Sequence, residues 1–166
     1  ISIIRRIKLK IMKYHSINNE LFIRNRMNFA GGMKSKSLAI FNSNDIFSIS
    51  ADSTKPFKQH SDIFWLSGVD QEESILVIFP DCHNPRHREI LFLKETNEHI
   101  AIWEGEKLNQ EAACETSGIK TVYWLNQFES IFNQLMSEVE NVYINTNEHW
   151  RANTEMQTRE DRWIDW

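Results

Sequence analysis

Four side chains of metal-ligating type, Asp81, Cys82, His83 and His87, fall within seven residues of one another. Carboxylate, thiolate and imidazole are the groups a zinc ion takes, but a stable site needs three or four of them converging at roughly 2.0–2.3 Å. Pro80 and Pro85 flank the group, and apolar runs lie to either side. A solvated loop joining two strands asks for the same composition, so a plain loop is the expected reading and no metal ligand is assigned. His60 and Asp62 have the types of a general base and its orienting acid, yet nothing nearby has the character of a nucleophile. His60 is therefore expected as a hydrogen-bonded turn residue, and no catalytic residue is assigned.

Whole reaction classes drop out on glycine and cysteine positions. The five glycines stand at 31, 32, 68, 105 and 118, which allows neither a phosphate-cradling loop nor a Gly-x-Ser-x-Gly nucleophile elbow. There is no His-Glu-x-x-His and no Cys-x-x-Cys. Among the tryptophans, Trp65, Trp124 and Trp150 are expected to be packing anchors. Trp103 differs, because Ala101-Ile102-Trp103-Glu104-Gly105 sets an indole before an acid and a glycine. That turn would leave the ring free to stack on a ligand or a neighbouring subunit.

The elements that position these residues follow from periodicity. Phe22, Ile23, Met27, Phe29, Ala30 and Met33 form a helical stripe over residues 19–33. Arg26 falls inside its apolar arc, where a charge needs an acid or an interface to meet it. Residues 37–41, 63–66, 75–79, 90–93 and 142–144 read as strands, several of them apolar on both faces and so covered on both sides. A short helix is predicted over 108–116, stopping at Gly118. The clearest helix carries Leu125, Phe128, Ile131, Phe132, Leu135, Met136 and Val139, with Asn126 and Glu129 as its capping box. Residues 147–166 are polar, with a helical pattern. Strands and helices intermixed in this way predict a layered α/β domain with a mixed sheet.

The 166 residues suit one domain with a hydrophobic core of its own. The net charge of −4 conceals an uneven spread, since residues 1–13 carry Arg5, Arg6, Lys8, Lys10 and Lys13 and no acid. The remainder holds 14 basic against 23 acidic residues, a body that repels phosphate backbones and argues against nucleic-acid binding. Residues 1–13 lack an uninterrupted apolar stretch and match neither a secretory signal nor a membrane span. They are expected to be a leader or an appended segment, Met12 being a natural start, and no membrane partner is expected. Two cysteines so far apart point to the reducing cytoplasm.

One stretch is more specific than any of these patterns. Ala51-Asp52, then Pro56-Phe57-Lys58-Gln59, then Ser61-Asp62-Ile63-Phe64-Trp65-Leu66-Ser67-Gly68 resembles the signature of the Xaa-Pro aminopeptidase (aminopeptidase P) N-terminal domain. The strands at 75–79 and 90–92 and the Ile102-Trp103-Glu104-Gly105 turn follow in the family's order, so the resemblance covers about residues 19–146. It departs at Asp70-Gln71-Glu72-Glu73, where relatives often carry Glu-Pro, and nothing here matches the family's two-Asp, one-His, two-Glu metal site. After the leader or appended segment at 1–13, the resemblance implies the N-terminal domain at 14–146 and the start of a helical linker at 147–166, leading to a catalytic domain outside this chain. It implies a creatinase N-terminal fold, ribonuclease H-like: three layers, α/β/α, around a mixed sheet of about six strands.

For the parent protein it implies a peptidase that removes the residue before a proline at the second position, with two manganese ions in the C-terminal domain. It also implies a dimer or tetramer, in which Asp52 and Trp103 look toward an active-site entrance, Trp103 toward a neighbouring subunit's. The alternatives are the N-terminal domain of a prolidase and a stand-alone creatinase-like binding or scaffold module.

Overall fold

The computed structural model describes residues 17–50, 53–97, 105, 107–146 and 163–164. The expected three layers are present. A mixed sheet in the order β6-β5-β4-β1-β7 is built from β1 (Ser37–Asn42), β4 (Ile75–Ile78), β5 (Glu89–Leu93), β6 (Thr121–Trp124) and β7 (Asn141–Ile144). Strand β1 runs antiparallel to β4 and parallel to β7, while β5 is antiparallel to β4 and parallel to β6. Among the described residues this sheet has five strands, one fewer than expected. Two further strands, β2 (Ser48–Ser50) and β3 (Ser53–Thr54), pair separately as a hairpin.

Alternation along the strands divides the core into two halves. Ala39, Phe41, Leu76, Ile78, Leu91 and Leu93 face α1 (Glu20–Gly31), α2 (Ser61–Ser67) and α3 (Gln110–Ser117). Leu38, Ile40, Ile75, Val77, Ile90 and Phe92 face α4 (Phe128–Met136), which contributes Phe128, Ile131, Phe132 and Leu135. Phe92 meets Phe128 edge-on at 5.1 Å, and Trp163 stacks on Phe128 at 5.6 Å, one of two described residues of the predicted C-terminal helix. The rest of that segment, like residues 1–13, lies outside the described residues.

Two local expectations are corrected, and one strand is new. Residues 63–66 are apolar enough for a strand, but they lie in α2, which His60 caps through Nδ1 by accepting from Asp62 N–H at 3.3 Å. A short apolar run does not distinguish strand from helix, and the cap decides. Residues 121–124 form β6 because Ile119 and the parallel partner β5 place them in register beside Ile90–Leu93. The helix after β6 begins with a 3-10 turn over Leu125–Gln127, and Gln127 Oε1, rather than the Asn126–Glu129 pair, accepts from Trp124 N–H at 3.1 Å.

Helices α2 and α3 end alike, on Ser67-Gly68-Val69 and Ser117-Gly118-Ile119. Each glycine adopts a left-handed φ, +70° and +73°, which closes the helix as side-chain-bearing residues rarely do. Each serine hydroxyl donates four residues back, to Ile63 O at 2.6 Å or Ala113 O at 2.7 Å, and accepts from the buried apolar residue after the glycine. Helix α1 lies across both ends and satisfies their carbonyls. Asn19 Nδ2 donates to Glu115 O at 2.9 Å, Asn25 Nδ2 to Trp65 O at 2.8 Å, and Arg26 Nη1 to Leu66 O at 2.8 Å and Ser117 O at 2.9 Å. Arg26 is fully buried and its Nε is 3.0 Å from Glu89 Oε2, so the acid that its place in the apolar arc demands is found on β5.

Candidate functional site

Asp52 and Trp103 themselves lie outside the described residues, but the segments that carry them are described on both sides. Strands β2 and β3 pair Ser48 with Thr54 and Ser50 with Ser53, with residues 51–52 between them. Lys55 N–H donates to Phe47 O at 2.9 Å and extends the pairing toward the base. Every described residue of the two strands is exposed, and Ile46, Phe47 and Ile49 are exposed apolar side chains along the same arm. An isolated two-stranded hairpin is marginal in water, so exposed apolar residues on such an arm suit a surface that another protein covers.

The base of the arm is fixed by polar side chains. Asn44 Nδ2 donates to Lys58 O at 2.9 Å. Gln59 is buried and spends its whole amide on the chain: Nε2 donates to Val69 O at 3.1 Å and Gln71 O at 2.8 Å, and Oε1 accepts from His60 N–H at 2.8 Å. Gln59 thus ties the arm to the turn over residues 69–74.

The same turn holds the loop that leads from β5 to α3. At the departing leg, Lys94 Nζ pairs with Glu73 at 2.9 Å; at the returning leg, Lys107 Nζ pairs with Glu72 at 2.8 Å. Leu108 N–H donates to Gln71 Oε1 at 2.8 Å. Glu73 adopts a positive φ of 51°, unusual for a residue with a side chain. The bases of the Asp52 arm and of the loop containing residue 103 therefore converge on one turn. Gly105, with φ of 85°, sits just before the returning leg.

The Glu72–Lys107 pair is largely shielded, with the two side chains 20 % and 8 % exposed. Burial pushes the Glu72 carboxyl up, but the hydrogen bond from Lys107, a backbone hydrogen bond and the charges of Lys107 and Lys94 together hold it below its ordinary value. A carboxylate lowered in the folded state stabilises the fold above its unfolded value of about 4.3, and the contribution is lost as pH falls through the lowered value. Glu72→Gln is expected to cost about 1–2 kcal/mol near neutral pH and less as pH falls below about 4. Urea unfolding of both proteins from pH 3 to 7 checks this; a difference independent of pH would contradict it.

The residues singled out between β4 and β5 are directed to different partners. Asp81 accepts from Lys36 N–H at 2.7 Å and Ser35 Oγ at 3.1 Å, which hold its carboxyl below the usual range. Cys82 is buried, and burial raises its thiol pKa. His83 donates its backbone N–H to Glu138, while the His87 ring lies 3.3 Å from the Tyr123 hydroxyl. Among the described residues no three His, Cys, Asp or Glu side chains are grouped to hold a metal ion. His60 serves as the α2 cap and Asp62 accepts from Asn145 Nδ2 at 2.6 Å, so the pair is absorbed by structure. Among the described residues no helix is long and apolar enough to cross a membrane.

Comparison with known proteins gives one consistent family. The family described as "Aminopeptidase P, N-terminal domain" matches residues 22–143. The chain is 29% identical over 129 residues to Xaa-Pro aminopeptidase of Escherichia coli (strain K12), covering 76% of this chain and 29% of that protein. It is 26% identical over 103 residues to human Xaa-Pro aminopeptidase 3, covering 61% of this chain and 20% of the relative. The structure of E. coli aminopeptidase P with the inhibitor Pro-Leu superposes with a TM-score of 0.71 at 28% identity, over 84% of this chain and 31% of that one. Pseudomonas aeruginosa aminopeptidase PepP shares the fold, with a TM-score of 0.74 at 20% identity over 91% of this chain and 32% of that one. This chain spans less than a third of the length of each of these relatives.

Proposed function

Because the chain belongs to the aminopeptidase P N-terminal domain family, we propose that it is the non-catalytic N-terminal domain of an Xaa-Pro aminopeptidase. The parent protein hydrolyses the bond between an N-terminal residue and a following proline. Its two manganese ions would belong to a C-terminal catalytic domain outside this chain, as the family resemblance implies. This domain contributes to subunit assembly and to access at the active site.

The observation that carries this reading is the convergence of the two candidate segments on residues 69–74. A surface that gates access must hold its contact residues on supports that do not drift, because a misplacement of an ångström at a binding contact is costly. Gln59, Gln71 and the two Lys–Glu pairs provide that support. Trp103 supplies an apolar wall and Asp52 a polar contact for the peptide's amino end. The exposed apolar residues of the arm provide the face that meets the catalytic domain or a second subunit.

Trp103→Ala and Asp52→Ala in the full-length enzyme test the proposal. Each is expected to lower kcat/KM for an Xaa-Pro peptide by about 5- to 30-fold, the range for losing one well-packed contact, with manganese content unchanged. Unchanged kinetics and unchanged assembly in both variants would overturn it.

A further inference from the structure

On the side of the domain away from the arm, a groove of about 790 Å³ runs between α1 and the connection from β4 to β5. Volumes of this order accommodate small molecules. Four cationic side chains line it, Arg26, Arg86, Arg88 and Lys120, against one acid, Glu89. This is a concentrated positive site on a chain whose net charge is −4. Met27 and Ala30 on one wall and Pro80 and Pro85 on the other add an apolar surface.

Two features of these cations point to a ligand. Arg26 is fully buried in the wall, with Nη1 serving two carbonyls and Nε beside Glu89, so it adds positive charge there, and its Nη2 has no hydrogen-bond acceptor among the described residues. Buried donors without acceptors are rare, and an ion or water is one way they are satisfied. Arg86 and Lys120 extend exposed side chains with no ion pair among the described residues, while the Arg88 side chain makes a long bond of 3.4 Å to Cys82 O and its charge also acts on Asp81. Arginine and lysine grouped this way suit a carboxylate or phosphate, and the apolar walls suit a compact hydrophobic body attached to it.

We propose that the groove between α1 and the β4–β5 connection binds a small organic anion with one oxyanion group and a short apolar body. The site is independent of the peptidase reading, since it uses neither Asp52 nor Trp103 and needs no catalytic domain.

Phenylacetate and phenyl phosphate are the probes, titrated into the ¹⁵N-labelled 166-residue chain and followed by NMR. Saturable shifts centred on the amides of Arg86, Gly118 and Lys120 are expected, and whichever probe binds more tightly identifies the head group. Phenylacetamide, lacking the charge, and inorganic phosphate, lacking the body, are each expected to bind more weakly. Arg86→Gln/Lys120→Gln is expected to weaken binding by about three- to thirtyfold without changing Tm, because both side chains are exposed and screened by solvent. Absence of saturable shifts with both probes, equal binding of phenylacetamide or of inorganic phosphate, or full binding by the double variant would overturn the proposal.

Discussion

An Arg26→Ala chain is expected to lose about 3–5 kcal/mol of folding stability, the cost of breaking a buried charged network by removing one member. Removing the guanidinium strands Leu66 O and Ser117 O, which close the last turns of α2 and α3, and takes from Glu89 its partner at 3.0 Å. The cation also sits where the negative ends of two helix dipoles meet, so its charge is placed to advantage as well as its donors. Burial lowers the guanidinium pKa while Glu89 opposes the shift, and the group stays charged because arginine starts so high. Arg26→Lys is expected to recover little, since an ammonium cannot span two carbonyls and a carboxylate in one plane. Against a typical total of about 5–15 kcal/mol, losses of this size leave the domain near its unfolding threshold. Urea unfolding measures the effect, and a loss under about 1 kcal/mol would show that α1 docks without this contact.

Gly68→Ala is expected to cost about 2–5 kcal/mol, from two independent sources. A left-handed φ of +70° penalises any Cβ by about 1–2 kcal/mol. The new methyl would also lie 2.3 Å from the ring of Phe22. That ring is 3% exposed and packs edge-on to Phe64, so it has little room to move away, and overpacking adds about 1–3 kcal/mol. Gly105→Ala separates the two terms. Its φ of +85° carries the backbone cost, but a Cβ there meets no atom of the described residues within 4 Å. Equal destabilisation of the two variants, measured by thermal or urea unfolding, would show that contact with Phe22 plays no part.

The sheet and its faces were legible because they rest on hydrophobic periodicity, which residues 37–41, 75–79 and 90–93 display plainly. Arg26 was legible as an anomaly, since a charge in an apolar arc requires a partner, though the sequence alone did not point to Glu89 or to the ends of two helices. Residues 63–66 misled because four apolar residues carry no period, and the deciding signal was the polar pair His60 and Asp62 at the start of a turn. Strand β6 escaped notice because Thr121-Val122-Tyr123-Trp124 is half-exposed at the sheet edge and reads as the approach to a helix.

At the site, Gln59 was legible only as part of a motif and Glu72-Glu73 only as a departure from relatives. Their roles depend on contacts with Val69, Lys94 and Lys107, which no local pattern encodes. Gly118 was legible as the stop of its helix, whereas Gly68 follows a run that reads as a strand, so the likeness of the two serine–glycine ends rests on tertiary structure.

The most direct test of the central claim is an assay of the purified 166-residue chain against an Xaa-Pro peptide with and without added manganese. No release of the N-terminal residue is expected under either condition, because the proposed function assigns the groups that hold the metal pair to another domain. Metal-dependent turnover by this chain alone would contradict the account.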